Sequence, residues 1–275
     1  MHIPHHSFDR QKLETYYESE LRSIESSKKM FDEGSYFVLK DTYNNALAAA
    51  YCAVILEKPK DEIKNNFYLF LDIAIAKYKM GTHVGEEISF SFLGKEYKYT
   101  PEAKRYSLTD QGWITAFFAA LLFMDINKIS ELNKIDLEKV MAVTKVKGDE
   151  YTLLFAHFLQ HVFKGDQNNF DNLKKASKKI APELLSKDVF DFAQEITGAQ
   201  IDLFGAVLLK ETPYFNEVYL KAVQWYKDYY AKHNPESETA LFAMELTAIC
   251  VLAKHYKIEF EHSSDYTPKM FLDGF

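Results

Sequence analysis

The stretch Thr109-Asp110-Gln111-Gly112-Trp113-Ile114-Thr115-Ala116-Phe117-Phe118-Ala119-Ala120-Leu121-Leu122-Phe123-Met124 decides the fold. From Trp113 onward it carries no charge and only one hydroxyl. It is too long for a buried strand and too short for the roughly 20 residues that cross a bilayer. Thr109 is placed to cap a helix whose first turn contains Gly112. A helix apolar on all sides must be surrounded by protein, so this segment is predicted to form the centre of the fold.

Reading backward, Tyr43, Ala46, Leu47, Ala50, Tyr51, Val54 and Ile55 recur at three- and four-residue steps. With Ala48, Ala49, Cys52 and Ala53 filling the other sides, this is a second buried helix. It is flanked by helices predicted over residues 8–31, ending near Gly34, and 61–79, ending at Gly81. The period then changes. Ile88, Phe90 and Phe92 alternate with polar residues, Leu93-Gly94-Lys95-Glu96 supplies a turn, and Tyr97 and Tyr99 alternate again, which predicts one β-hairpin near residues 87–100. Reading forward, helical signal recurs over 127–133, 136–143, 149–163, 170–179, 186–209, 214–232 and 236–256. The 186–209 segment reads as one helix or two, because it contains Gly198 and Gly205. No Pro/Gly/Ser-rich linker and no fixed-period repeat interrupts the chain. The expected architecture is all-α: residues 1–275 as a single domain of about ten antiparallel helices with one small hairpin.

Composition agrees. The 275 residues include 22 Phe, 18 Tyr and 2 Trp but only 10 Gly and 7 Pro, so the chain has abundant core material and few turn-formers. The net charge is −7, and residues 166–275 hold 12 basic against 17 acidic side chains. That balance disfavours a nucleic-acid binder, which needs cations for phosphates. It suits either simple solvation or a face that meets a basic partner. The N-terminal residues Met1-His2-Ile3-Pro4-His5-His6 lack the apolar core of a secretory signal, and no apolar run is long enough to span a membrane. A cytoplasmic location is therefore expected. Cys52 and Cys250 lie within apolar runs and read as small core residues.

Catalytic fingerprints are missing: no Gly-x-Ser-x-Gly elbow, no phosphate-cradling loop, no Cys-x-x-Cys and no His-Glu-x-x-His. Four weaker features stand out. His157 and His161 stand at i,i+4 on the polar side of a helix, together with Glu150 and Lys164. That spacing can chelate a metal, but no third ligand is fixed by it, and a solvated or partner-facing side is the preferred reading. Glu259-Phe260-Glu261-His262 contains one Glu-x-x-His in a segment that alternates as an extended strand, with both acids on one face. Glu245, among apolar neighbours, is a partly buried carboxylate with a raised pKa, suited either to acid–base work or to a hydrogen bond with a tyrosine. Phe215, Tyr219, Tyr226 and Tyr230 form an aromatic stripe that serves equally as core or as interface anchors.

Four segments together resemble the immunity protein 49 family of bacterial polymorphic-toxin systems. Trp113, Thr115, Ala116 and Phe117 are similar to its Trp-Leu-Thr-Ala-Phe run, with Gly112 where the family often has Asn. Asp149-Glu150-Tyr151 looks like its acidic-acidic-Tyr helix entry. Phe215-Asn216 is similar to its Phe-Asn-x-x-Leu helix, and Tyr266 with Pro268 resembles its closing Ser-x-Tyr-x-Pro segment. The resemblance implies an all-helical cytosolic protein, encoded beside a toxin that it binds and neutralises, with no catalysis and no cofactor. The toxin's attacking site would then be basic, as in a nuclease. The candidate contacts, chosen by charge density, are Glu259, Glu261 and Asp265, then Asp188, Asp191 and Glu195. The alternatives are a metal-binding or hydrolytic helical enzyme using Glu150, His157 and His161, and a helical scaffold for a protein partner.

Overall fold

A computed structural model describes residues 1–102, 108–143, 149–164 and 169–275. In chain order the elements are β1 (His2–Ile3), α1 (Arg10–Asp32), α2 (Leu39–Ile55), α3 (Lys60–Thr82), β2 (Ile88–Phe92), β3 (Lys95–Tyr99), α4 (Asp110–Leu122), α5 (Ile126–Leu132), α6 (Leu137–Val143), α7 (Glu150–His161), α8 (Asn169–Lys179), α9 (Lys187–Phe192), α10 (Ala199–Leu209), α11 (Thr212–His233), α12 (Glu238–Leu241), α13 (Met244–His255), β4 (Ser263–Ser264) and α14 (Lys269–Leu272). The fold is mostly all-α, as predicted, with two small two-stranded sheets.

The chain divides into two compact units, one of residues 9–116 with 130–147, the other of residues 1–8, 117–129 and 148–275. In the first, Asp9 caps α1 by accepting from the Lys12 amide at 3.1 Å. Leu13, Tyr17, Ile24, Ser27 and Phe31 form the buried stripe of α1, and α2 is buried almost all round, as its alanine-rich composition requires. The hairpin β2–β3 pairs Ile88 with Tyr99, Phe90 with Tyr97 and Phe92 with Lys95. Its two-residue turn, Leu93 at φ 46° and Gly94 at φ 76°, is of the left-handed kind that matches strand twist. Phe31 meets the rings of Phe90, Phe92 and Tyr97 at 5.0–5.7 Å. Asp32 accepts from Lys95 Nζ at 2.6 Å and from the Tyr97 hydroxyl at 2.8 Å. In α4, Thr109 accepts from the Gly112 amide at 3.0 Å, which is the expected cap, and Trp113 is fully buried with its Nε1 donating to the Leu132 carbonyl at 3.1 Å.

In the second unit, Phe118, Phe155, Phe158 and Phe204 pack ring against ring at 5.2–6.4 Å, joining the end of α4 to α7 and α10. Residues 187–209 form one unbroken helical run: α9 passes through a π-helical stretch, Ala193–Gly198, into α10. A Cβ at Gly198 would come within 3.2 Å of the Ala193 carbonyl, so glycine admits the wide turn.

Two features differ from expectation. The predicted helix 236–256 is two helices, α12 and α13, broken at Phe242, whose backbone is extended. The break is compensated from outside: Tyr226 donates to the carbonyls of Thr239 and Phe242, and the Ala243 amide donates to the Tyr266 carbonyl at 2.9 Å. Tertiary hydrogen bonds override local propensity there. The N-terminal β1 also pairs in parallel with β4, His2 opposite Ser263 and Ile3 opposite Ser264.

Candidate functional site

Asn216 organises the C-terminal segment. It is buried near the start of α11, where its Nδ2 donates to the carbonyls of Thr212 at 2.9 Å and Glu259 at 2.8 Å, and its Oδ1 accepts from the Glu261 amide at 2.8 Å. A side-chain amide that accepts and donates across residues 259–261 acts as a strand partner, and it fixes their register. Ile258 is buried, and Phe260 packs edge-on against Phe215 at 5.1 Å and Tyr219 at 5.9 Å. Glu259 and Glu261 consequently face solvent, as their alternation predicted.

Asp265 is placed differently. Its carboxylate accepts from the His5 amide at 3.1 Å and lies 3.2 Å from His2 Nε2, so it ties down the N-terminal segment. Tyr266 beside it is fully buried, its hydroxyl accepting from the His6 amide at 3.0 Å and bonded to His6 Nδ1 at 2.8 Å. Burial lowers the pKa of the His5 imidazole, with Asp265 acting in the opposite sense.

Asp191 and Glu195 lie together against α11. Asp191 pairs with Lys232 at 3.4 Å. Burial first, and then the charges of Asp191 and Asp228, raise the Glu195 carboxyl, against the pull of Lys232 and His233. The Asp188 side chain lies outside the described residues. Asn216 and Asp228 are twelve residues apart on α11, about 18 Å along a helix axis, so the acids of the two groups sit near different ends of that helix.

The weaker sequence candidates are also located. His161 Nδ1 bonds the His157 carbonyl on its own helix at 2.9 Å, and Glu150 pairs with Lys179 at 2.7 Å. Among the described residues no three His, Cys, Asp or Glu side chains converge as metal ligands would. The Glu245 carboxyl is pushed up to about 7 by burial, and its charge in turn adds to the rise of the Tyr230 phenol, which is mainly due to burial.

The family profile described as Immunity protein 49 matches residues 41–271. The chain belongs to the Immunity protein 49 family. Comparisons with curated proteins and with solved structures return no match. Family membership supports an immunity function with a toxin as the partner. Most of the residues that carry the resemblance to the Immunity protein 49 family are internal fittings, whereas Asp149 and Glu150 are exposed. Trp113, Ala116 and Phe117 are buried in α4, and Thr115 donates to the Gln111 carbonyl at 3.1 Å. Asp149 precedes α7 and its carbonyl accepts from both the amide and the hydroxyl of Thr152, while Tyr151 is buried. Phe215 and Asn216 hold the C-terminal segment, Tyr266 anchors the N-terminal one, and Pro268 caps α14. Among the described residues no helix is long and apolar enough to cross a membrane.

Two further features had little sequence signal. Lys77 is a buried lysine in α3, among the buried apolar neighbours Ile73, Ala74, Ala76 and Met80. The groove between α8 and α10 was encoded only as Phe170, Leu173 and Ser177 on one helix and Ile201, Gly205 and Leu208 on the other, whose pairing the sequence does not announce.

Proposed function

We propose that this protein neutralises a cognate toxin in the cytoplasm by stoichiometric binding, covering the toxin's active site or locking its conformation, without turnover of its own. The observation that carries this reading is the match to the Immunity protein 49 family across residues 41–271. The acidic C-terminal third supports a toxin whose catalytic face is basic, as a nuclease needs for phosphates. Glu259 and Glu261, held outward by the Asn216 latch, are suited to steer such a face by long-range attraction. Asp191 and Glu195 form a second acidic group, with Asp188 adding charge in the same sequence region, while Asp265 carries its charge already engaged by His2 and His5.

The test is co-expression with the toxin domain encoded by the neighbouring gene. Cells carrying both genes should survive where cells carrying the toxin alone die, and the two proteins should copurify in a fixed ratio. Death of the cells despite abundant soluble immunity protein would refute the reading. If the acidic faces do the steering, Glu259→Lys with Glu261→Lys slows association about tenfold or more at low salt and leaves folding intact.

A further inference from the structure

Between α8, α10 and the start of α11 runs an open groove of 490 Å³. Its apolar lining comes from Phe170 and Leu173 on α8, Ile201 and Leu209 on α10, and Tyr214 on α11. Three of these large side chains stand unusually open to solvent: Phe170 at 46%, Leu209 at 61% and Tyr214 at 42%. Single exposed apolar residues are ordinary, but three converging on one concavity mark a surface that is completed by something else.

The geometry of the groove limits what that is. The α8 wall presents Phe170, Leu173, Lys174, Ser177 and Lys178, spaced by about two helical turns, roughly 11 Å. Its floor is lowered at Gly205, where a Cβ would find only Leu173, at 4.0 Å. A two-turn channel between packed helices suits an amphipathic helix that inserts apolar side chains at i, i+3 or i+4, and i+7. The charge of the lip narrows this further. Lys174 and Lys178 border the groove, and neither makes an ion pair with a described residue. In a chain of net charge −7, a lysine-edged apolar channel complements a segment whose flanks are acidic. Asp202, exposed on α10 opposite, has a carboxyl raised by partial burial, with Lys221 acting to lower it; it adds one acidic group to a lining whose other polar members are Lys174, Ser177 and Lys178.

We infer that this groove is a docking site for an amphipathic helix of the toxin, with apolar anchors seated between α8 and α10 and acidic residues against Lys174 and Lys178. The inference rests on the immunity reading above and adds to it a second contact of opposite charge. The toxin would thus be held by an acidic face that steers it and a basic-edged apolar channel that retains it. In such an arrangement the acidic residues govern mainly the association rate and the groove mainly the dissociation rate.

The test uses the full-length protein and the purified, catalytically disabled toxin domain of the neighbouring gene, with binding followed by surface-based kinetics. Gly205→Leu fills the channel. It should fold well, because leucine is the better helix former, the added Cβ meets only Leu173 at an ordinary contact distance, and the rest of the side chain extends into the open groove. Lys174→Glu with Lys178→Glu reverses the lip on the protein surface. Each is expected to speed dissociation about tenfold or more, with circular dichroism and melting temperature near those of the parent. Toxin affinity unchanged in both variants overturns the groove while leaving the immunity reading standing. So does a parent protein that is a dimer which Gly205→Leu dissociates without affecting toxin binding. If the parent protein does not bind the toxin at all, the immunity reading itself fails and this inference falls with it.

Discussion

Lys77 should make the protein less stable than it could be, by an amount that pH controls. The side chain is 6% exposed in α3, with its Nζ 3.9 Å from the centre of the Tyr43 ring, and among the described residues no carboxylate pairs with it. Burial, with a smaller contribution from Lys40, lowers its pKa from 10.5 to about 8. A base whose pKa falls on folding binds its proton more weakly in the native state, so folding carries a penalty wherever the unfolded chain is protonated. The penalty is complete below about pH 8, shrinks between 8 and 10.5, and vanishes above that. The gap between the two values corresponds to about 3 kcal/mol. The Tyr43 ring attracts only the protonated amine and so works against this shift by about 1 kcal/mol, which puts the net cost at neutral pH at about 2–3 kcal/mol.

Lys77→Met replaces the lysine stem with an unbranched apolar chain one atom shorter and removes the charge. Urea unfolding followed by circular dichroism should show the variant about 2–3 kcal/mol more stable than the parent at pH 7, with the difference shrinking steadily between pH 8 and 10.5. Because both proteins share every other titrating group, the difference isolates Lys77. A variant equal to or weaker than the parent at pH 7, or a gain that stays constant across this range, would refute the reasoning.

Glu245 behaves in the opposite sense: its carboxyl rises from 4.5 to about 7, so ionising it destabilises the fold increasingly as pH climbs from 4.5 through 7. Glu245→Gln should match the parent at pH 4 and exceed it at pH 8 by up to about 3 kcal/mol, less for any solvent the carboxyl retains; an identical pH–stability curve in chemical denaturation counts against it. Gly81→Ala would drive a Cβ into Leu108 Cδ1 in the core, closer than two carbons can stand. Overpacking of about 1–3 kcal/mol should outweigh the roughly 1 kcal/mol of helix propensity gained, and a melting temperature at or above the parent's would show that Leu108 yields freely. Asn216→Ala removes three hydrogen bonds and strands the Glu261 amide, which should cost about 2–4 kcal/mol and accelerate hydrogen exchange at that amide; unchanged protection there would mean the latch is dispensable.

What could be read from the chain, and what could not, follows from the range of the interactions. α2 and α4 were legible because a helix apolar on every side has one explanation, and β2–β3 because a period of two, closed by Leu93-Gly94, is a local signal. The outward placement of Glu259 and Glu261 was legible for the same reason. The break at Phe242 was not, since Glu238 to His255 are acceptable helix formers and the break is held by Tyr226 and by the Tyr266 carbonyl. Nor was the pairing of β1 with β4, two residues on each side joined across most of the chain. Asp265 shows the limit of charge density as a guide. Its sequence position resembles that of Glu261, yet its carboxylate is engaged by His2 and His5.

The burial of the motif residues bears on how recognition can vary within such a scaffold. Trp113, Phe117, Tyr151, Phe215 and Tyr266 are inside, and Asn216 spends its hydrogen-bonding capacity on the chain itself. Changing any of them alters packing before it alters a partner's contacts. Glu259, Glu261, Lys174, Lys178, Phe170 and Leu209 are carried on that frame with side chains free to change at little cost to the fold, since surface substitutions away from caps and networks usually shift stability by under about 0.5 kcal/mol. The motif residues thus mostly build the frame, with Asp149 and Glu150 as exposed exceptions; on the immunity function proposed above, discrimination between one toxin and another would fall to outward positions.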